Sequence, residues 1–266
     1  IEQGVASPST PKLSPWLSYV ALGTVADCVS LGGSPANRAV VSHGLTLINR
    51  MEAACWRVMA ERLGTDSVPF DAETLAFQMG PRINARSRLD DPYAALHFML
   101  AADDATARRH LEVLDTDNQS RKAIESDMVE RARSLALEAL AEGASAIVVF
   151  LEDGHAGVQG IVASRLVERY YRPVVLIALK DGIGKGSARS IPAFNLFKAF
   201  SECSQHFTQF GGHAYAAGLT IKQDNVDDFH VSINAIGHRI LKEEDLVPEI
   251  AIDAEFDPGS IDRDLY

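Results

Sequence analysis

Two adjacent glycines stand directly before a histidine in the sequence Gly211-Gly212-His213. Glycine has no Cβ, so a ligand can approach the backbone closely there. The small residues 214–218 that follow predict a short helix, and Leu219–Lys222 predicts a strand. Exposed backbone N–H groups, a helix N-terminus and an imidazole together predict an anion-binding site. A plain turn, with His213 as an ordinary polar residue, explains the same residues equally well.

A glycine-rich strand is predicted at Ile183–Ser190, and it carries Lys185, Ser187 and Arg189 at alternate positions. Alternate residues of a strand share one face, so these three side chains point the same way. The arginine fork and the serine hydroxyl are suited to binding phosphate. His155, in a glycine-rich loop, is a further candidate, although an exposed loop histidine fits it as well. The sequence contains no nucleophile elbow, Walker loop, HExxH or CxxC pair.

The N-terminal half offers one carboxylate and one basic cluster. Asp27 ends the apolar run Trp16–Ala26, a predicted helix or strand, and stands before a glycine loop. This position suits a metal ligand and a helix or turn cap equally. Arg82, Arg86 and Arg88 lie close together in the sequence with one acid beside them. They fit a local basic cleft or, more simply, solvated surface.

The composition is that of an ordinary globular protein of two domains, with 266 residues, 47% of them hydrophobic, and a net charge of −11. The acidic balance argues against non-specific coating of nucleic acid, but it allows a local basic groove. The three cysteines lie far apart in the sequence, which indicates reduced thiols in a cytosolic protein. No secretory signal and no apolar stretch of membrane-spanning length is visible, so we expect no membrane partner.

Hydrophobic periodicity predicts the elements that must position these residues. The first half is predicted to be helical, with a break at Gly80-Pro81 before the arginine segment. After Gly143, a β-α-β order predicts an α/β domain in which two strands pair in parallel. The predicted helices are Asn37–Leu63, Asp71–Met79, Thr106–Leu114, Gln119–Glu142, Val158–Tyr171, Asn195–Cys203 and Val226–Leu246. The remaining predicted strands are Ala146–Leu151, Pro173–Leu179 and Glu249–Phe256.

Several stretches in a fixed order carry a resemblance to a known family. They are Leu22–Asp27, Asn37-Arg38, Gly80–Ala85 with Arg88–Asp90, His155–Val158 with Gly160–Leu166, Gly186–Ser190, and Gly211–His213 with Ala216–Gly218. Together they resemble the RecJ-type single-strand-specific DNA exonucleases of the DHH phosphoesterase superfamily. The resemblance runs from about Leu13 to Ile252, and ordered motifs are a more specific signal than any one of them alone.

The resemblance implies an α/β fold with a mixed sheet. Residues 1–118 would be the C-terminal part of a DHH catalytic domain, and 119–143 a long connecting helix. Residues 144–248 would be the DHH-associated, substrate-binding domain, and 249–266 the start of a truncated OB-fold domain. The active site of such a protein lies in the cleft between the two main domains.

The implied reaction is 5′-to-3′ hydrolysis of single-stranded DNA to mononucleotides in repair and recombination, with Mn²⁺ or Mg²⁺ in a two-metal site. The implied partners are a single-stranded DNA with a 5′ end, a single-stranded-DNA-binding protein and a helicase, in the cytoplasm. The resemblance makes Asp27 a catalytic metal ligand and places His213, with Gly211 and Gly212, against the scissile phosphate. The other implied substrate-binding residues are Ser187 and Arg189 on the terminal 5′ phosphate, Arg82 and Arg88 on the DNA strand, and His155 at the cleft rim.

The sequence departs from the family pattern at its metal motifs. The family's Asp-x-Asp and Asp-His-His motifs are missing, and the chain begins after the place where both belong. Of the expected metal ligands, Asp27 alone matches, and one carboxylate cannot hold two divalent cations. We therefore expect a fragment that binds metal weakly and does not hydrolyse DNA on its own. Two alternatives stay open: a DHH-family phosphodiesterase for short oligonucleotides or cyclic dinucleotides, and a non-catalytic nucleic-acid-binding homologue.

Overall fold

The computed structural model describes residues 13–64, 68–250, 252 and 255–256. The chain divides into two compact units, Ile1–Asp127 and Met128–Tyr266. One helix of 38 residues, Asp104–Ala141, runs through the boundary between them. Within the described ranges, no helix combines the length and the apolar character that crossing a membrane requires.

Unit 1 is helical throughout its described part. Its helices are α1 (Leu17–Ala26), α2 (Pro35–Ile48), α3 (Ala54–Leu63), α4 (Ala72–Thr74), α5 (Gly80–Leu89), α6 (Tyr93–Met99) and the first part of α7 (Asp104–Ala141). A 3₁₀ turn at Ser14–Trp16 precedes α1, and a π-helical turn at Leu75–Met79 joins α4 to α5. The core lies between these helices around the fully buried Trp56, Phe98 and Leu114.

The predicted helical region Asn37–Leu63 is interrupted in the structure, because α2 ends at Ile48 and α3 starts at Ala54. Asn49 is the C-cap of α2, and its side chain pairs with the backbone of Phe70. Its Nδ2 donates to the Phe70 carbonyl at 2.9 Å, and its Oδ1 accepts from the Phe70 N–H at 2.7 Å.

The predicted break at Gly80-Pro81 is wrong, since the chain passes from the π-helical turn directly into α5. Proline removes a helical N–H donor and its ring crowds the preceding turn, but the wider π turn accommodates both. Gly80 is needed for packing at this point. A Cβ there would lie 3.2 Å from the Cβ of Ala26.

The prediction of two separate helices, Thr106–Leu114 and Gln119–Glu142, is also wrong, because α7 is continuous. The polar residues between them favour a loop in isolation, since their side chains compete for backbone hydrogen bonds. In the structure, arginines of α3 and α5 bind these side chains instead. Asp115 accepts from Arg62 Nε at 2.6 Å and from Arg82 Nε at 2.7 Å. Asp117 accepts from Arg86 Nη1 at 3.1 Å.

Unit 2 is built on a mixed sheet, which confirms the predicted α/β class. The strands of its described part are β1 (Ile147–Glu152), β2 (Val174–Lys180), β3 (Ile183–Arg189), β4 (Phe207–Gly212) and β5 (Ala216–Lys222), in the order β1-β2-β3-β5-β4. The helices are α8 (Gln159–Tyr170), α9 (Leu196–Glu202) and α10 (Val226–Ile240). The predicted parallel pairing of the first two strands is confirmed, and the other pairs are antiparallel.

The short helix predicted at 214–218 is wrong, because these residues turn into β5 and form a hairpin with β4. Alternate side chains explain the strand: Ala217, Leu219 and Ile221 are buried in the core shared with α9 and α10. Because no helix forms there, no helix N-terminus contributes to the predicted anion site.

The C-terminal predictions are met in part. The helix predicted at Val226–Leu246 ends at Ile240, and a 3₁₀ turn follows at Glu243–Leu246. The strand predicted at Glu249–Phe256 falls largely outside the described residues.

Asp115 is expected to stabilise unit 1 by holding α3 and α5 to α7. Burial raises its pKa, but the bonds from Arg62 and Arg82 outweigh burial, so the pKa lies below its usual value. Its stabilisation is therefore present above the usual aspartate pKa and is lost as the pH falls through the lowered value. Asp115→Asn should lower the free energy of unfolding by about 1–3 kcal/mol at pH 7, because Arg82 loses its buried partner.

Urea unfolding at pH 7 measures this change. The control is Glu168→Gln, whose exposed pair with Arg165 has an N–O distance of 3.3 Å; we expect a change below about 0.5 kcal/mol there. Equal changes for the two variants would contradict the assignment.

Candidate phosphate-binding site

One face of the sheet is only half covered. Helix α8 packs on β2 and β3, whereas β5 and β4 carry mostly small or polar residues on this face. The register places Lys185 opposite Thr220, Ser187 opposite Gly218, and Arg189 opposite Ala216. A ligand on this face would contact short side chains, and it could approach the backbone closely at Gly218 because glycine has no Cβ.

Ser187 and Arg189 meet at the edge of α8. Arg189 Nη1 donates to Ser187 Oγ at 3.2 Å and to the carbonyl of Ala188 at 2.9 Å. Both side chains are half-buried. The predicted common face is thus confirmed for this pair, which we call the Ser187–Arg189 corner.

The first turn of α8 packs against this corner through Gly160. A Cβ on Gly160 would lie 2.7 Å from Arg189 Nη2 and 3.2 Å from Ser187 Oγ. Beside it, the buried side chain of Gln159 donates from Nε2 to the carbonyl of Lys185 at 2.8 Å. Sequence reasoning did not single out either residue for this role. The sequence signal for this packing was a glutamine followed by a glycine at the start of an otherwise amphipathic helix.

An open groove of about 500 Å³ continues from Ser187 along the bare face of the sheet. Its walls are Gln159 and Ala156 on one side and Gln209 on the other, with Lys185 at its end and Gly218 in its floor. None of the described carboxylates lines it. In a chain of net charge −11, a groove lined by a lysine and by no described carboxylate suits an anion better than a cation.

The Gly211-Gly212-His213 stretch ends β4 and starts the hairpin turn. Gly212 has a φ of +143°, and a Cβ there would lie 2.4 Å from the carbonyl oxygen of Ala216. The His213 N–H donates to that same oxygen at 2.7 Å, which leaves the imidazole exposed at the tip. Gly211 is exposed, with no atom within 4 Å of its ideal Cβ position.

His155 shapes the loop before α8. Its Nδ1 accepts from the Gly157 N–H at 3.2 Å, and its carbonyl accepts from the N–H groups of Val158 and Gln159 at 3.0 and 3.2 Å. The half-buried imidazole therefore has a structural contact of its own beside the site.

The other predicted site residues belong to unit 1. Asp27 is exposed at the end of α1, and the described residues contain no group of three His, Cys, Asp or Glu side chains able to hold a metal. Arg82 is bound to Asp115 and has a side chain only 14% exposed. Arg88 lies exposed in the last turn of α5.

The two buried cysteines, Cys55 and Cys203, offer no nucleophile to this site. Burial raises the pKa of Cys55 to about 11 and the pKa of Cys203 to about 11. Both thiols are therefore protonated at neutral pH, and the thiolate is the reactive form. All three cysteines are free.

Comparison with known proteins places this geometry in a family. Residues 143–236 match the model of the DHHA1 domain. The single-stranded-DNA-specific exonuclease RecJ of Bacillus subtilis is 36% identical over 239 residues, covering 89% of this chain and 30% of that protein. The RecJ of Escherichia coli is 32% identical over 274 residues, covering 99% of this chain and 46% of that protein. The chain thus spans less than half the length of these relatives.

Solved structures agree with the sequence comparison. Two structures of RecJ from Thermus thermophilus, in complex with Mg²⁺ and with Mn²⁺, match with TM-scores of 0.79 and 0.80 at 33% and 34% identity. Each match covers 94% of this chain, and 38% and 36% of the respective RecJ chains.

The two glycines before His213 are expected to respond differently to a methyl group. Gly212→Ala should lower the free energy of unfolding by about 2 kcal/mol or more, because its positive φ and the nearby backbone both exclude a Cβ. Gly211→Ala, with open space around it, should change stability by less than about 0.5 kcal/mol. Urea unfolding followed by circular dichroism measures both. Equal destabilisation by the two variants would show that the hairpin differs from the structure.

Proposed function

Because this chain belongs to the RecJ family and contains a DHHA1 domain, we propose that it binds the 5′ end of single-stranded DNA. The 5′ phosphate lies in the Ser187–Arg189 corner. The observation that carries this proposal is the position of the Arg189 guanidinium. It donates a hydrogen bond to Ser187 Oγ at 3.2 Å and packs against Gly160. This is a half-buried cation at the mouth of an anion-accepting groove.

The chemistry of the corner suits a phosphate monoester. A guanidinium presents its donors in a planar fork that matches two phosphate oxygens, and a serine hydroxyl adds a further donor. The start of α8 lies beside them, where the helix dipole favours negative charge. A terminal phosphate carries more charge than an internal phosphodiester, so this corner selects strand ends.

The hairpin turn then receives the next phosphate along the strand. Arg189 is paired with Ala216 at the turn end of β5, so His213 follows the corner along the sheet. Gly211 and Gly212 let the DNA backbone approach closely, and His213 contacts the phosphate. His155 lies at the rim, and Arg88, exposed on α5, is the arginine of unit 1 that contacts the strand. Arg82, bound to Asp115, supports α5 instead.

The described residues do not fit a two-metal site. Solved RecJ relatives contain Mg²⁺ or Mn²⁺, and each such cation needs several oxygen or nitrogen ligands. Asp27 is one carboxylate, the described part of the chain has no group of three suitable donors, and the sequence has no Asp-His-His. We therefore infer that this chain binds DNA ends without hydrolysing them.

Residues 144–248 supply the substrate-binding domain in this proposal, next to the C-terminal part of a DHH domain (1–118), a connecting helix (119–143) and the start of an OB-fold (249–266). The match of the DHHA1 model to 143–236 supports the substrate-binding assignment. The wider role follows the family: single-stranded DNA ends in repair and recombination, with a single-stranded-DNA-binding protein and a helicase as partners in the cytoplasm. A series of substrate lengths separates the exonuclease function of the family from the alternative, a DHH-family phosphodiesterase for short oligonucleotides or cyclic dinucleotides.

Arg189→Ala should weaken the binding of a 5′-phosphorylated oligonucleotide by about 1–3 kcal/mol, the scale for losing a charge-assisted contact. The same strand with a 5′ hydroxyl should bind the variant and the parent chain alike. Fluorescence anisotropy with a 3′-labelled strand, in EDTA to prevent cleavage, measures both affinities. Arg239→Ala is the control, because its guanidinium pairs with Glu202 outside the groove. An equal loss on both strands would remove Arg189 from 5′-phosphate binding.

The purified chain should release no nucleotides from 5′-phosphorylated single-stranded DNA in Mn²⁺ above the level of a heat-inactivated sample. The reason is the donor set, since Asp27 alone cannot build a two-metal site. Chromatography of the products over several hours measures this release. Clear turnover that Asp27→Ala abolishes would show that the chain holds its metals after all.

A further inference from the structure

The groove is larger than the proposed 5′-phosphate site needs. Ser187, the residue of the corner that lines the groove, stands at one end of it, and the remaining space continues to Lys185 and Thr220. Lys185 stands two residues from Ser187 on β3, which is about 7 Å along a strand. A monophosphate in the corner therefore leaves the Lys185 end of the groove open.

The direction of this open end follows from the strand register. Arg189 is paired with Ala216, next to the hairpin turn, whereas Lys185 is paired with Thr220, away from it. In the proposed function, which this inference rests on, the DNA strand runs from the corner towards His213. The Lys185 end therefore lies beyond the 5′ phosphate, where only groups attached to that phosphate can reach.

The chemistry of this end favours negative charge. The Lys185 side chain is exposed and makes no ion pair with any residue in the described part of the chain. Its carbonyl is fixed by the buried Gln159 amide at 2.8 Å. None of the described carboxylates lines the groove, so a cation would meet no negatively charged side chain there.

A nucleobase is a poorer fit for the same space. Phe210 contributes to the lining, but it is paired with Leu219, whose side chain lies in the core on the other face of the sheet. Its ring lies 5.6 Å from the ring of Phe207 and 6.2 Å from that of Phe197, centroid to centroid. The groove therefore lacks the aromatic platform on which bases stack.

We propose that this groove binds additional phosphoryl groups carried on the 5′ phosphate, so that the chain accepts nucleic-acid strands with a 5′ diphosphate or triphosphate. The innermost phosphate lies in the Ser187–Arg189 corner, and Lys185 contacts the outer ones. Lys185 is thus a specificity-determining residue, which adds affinity for a polyphosphorylated end.

Three oligonucleotides of one sequence, with a 5′ hydroxyl, monophosphate or triphosphate, test this proposal. Their dissociation constants for the full chain are measured by fluorescence anisotropy in EDTA at one fixed salt concentration. We expect the triphosphate to bind roughly ten-fold more tightly than the monophosphate, the scale of one added charge-assisted contact. Lys185→Ala should abolish this difference, whereas Lys242→Ala, which removes an equal charge outside the groove, should preserve it.

The outcomes separate this inference from the proposed function. A monophosphate that binds more tightly than the hydroxyl, with no further gain for the triphosphate, overturns the Lys185 site alone. Equal binding of hydroxyl and monophosphate overturns the corner and, with it, the extension. A triphosphate gain that survives Lys185→Ala, or that Lys242→Ala removes equally, assigns the gain to general charge and also overturns the inference.

Inorganic triphosphate is measured as a further ligand, because free polyphosphate carries the same linked phosphoryl groups without a nucleic acid. It should bind much more weakly than the triphosphorylated oligonucleotide, since it lacks the strand that continues past the corner. Equal affinity would assign the groove to free polyphosphate and overturn the nucleic-acid end as its ligand.

Discussion

The contact between the first turn of α8 and strand β3 is the constraint on which the proposed site depends. Gly160 brings the helix so close to the strand that a Cβ at this position would lie only 2.7 Å from Arg189 Nη2. The neighbouring Gln159 fixes the same approach by binding the carbonyl of Lys185 at 2.8 Å. This contact confines Arg189 beside Ser187 and keeps α8 away from β5 and β4. The corner and the groove are therefore two results of one packing contact.

Arginine has opposite uses in the two units, although its chemistry is the same. In unit 1, Arg82 and Arg62 both bind Asp115, and Arg86 binds Asp117, so these guanidinium groups hold α3 and α5 to α7. In unit 2, Arg189 hydrogen-bonds to Ser187, and Ser187 lines a groove without a described carboxylate. A chain of net charge −11 can therefore be acidic overall and still offer a phosphate a local positive site in unit 2.

The sequence predicted those parts of the structure that depend on local pattern. Continuous apolar runs around α8 predicted β1 and β2 and their parallel pairing, and alternation along β3 predicted that Ser187 and Arg189 share a face. The errors arose where a distant contact overrides a local preference. Partners in α3 and α5 keep the polar residues of α7 helical, a π-helical turn accommodates Pro81, and core packing draws Ala217 into a strand. The contacts of Gln159 and Gly160 with β3 were not predicted, because this strand follows them in the sequence by more than twenty residues.

The most direct test of this account is a map of where the strand end binds. Backbone amide shifts of the ¹⁵N-labelled chain can be followed as a 5′-phosphorylated trinucleotide is added, with the 5′-hydroxyl trinucleotide as reference. The account predicts phosphate-dependent shifts centred on Gly160, Ser187, Arg189 and Gly218. Phosphate-dependent shifts centred instead on the arginines of α5, or none that distinguish the two trinucleotides, would contradict it.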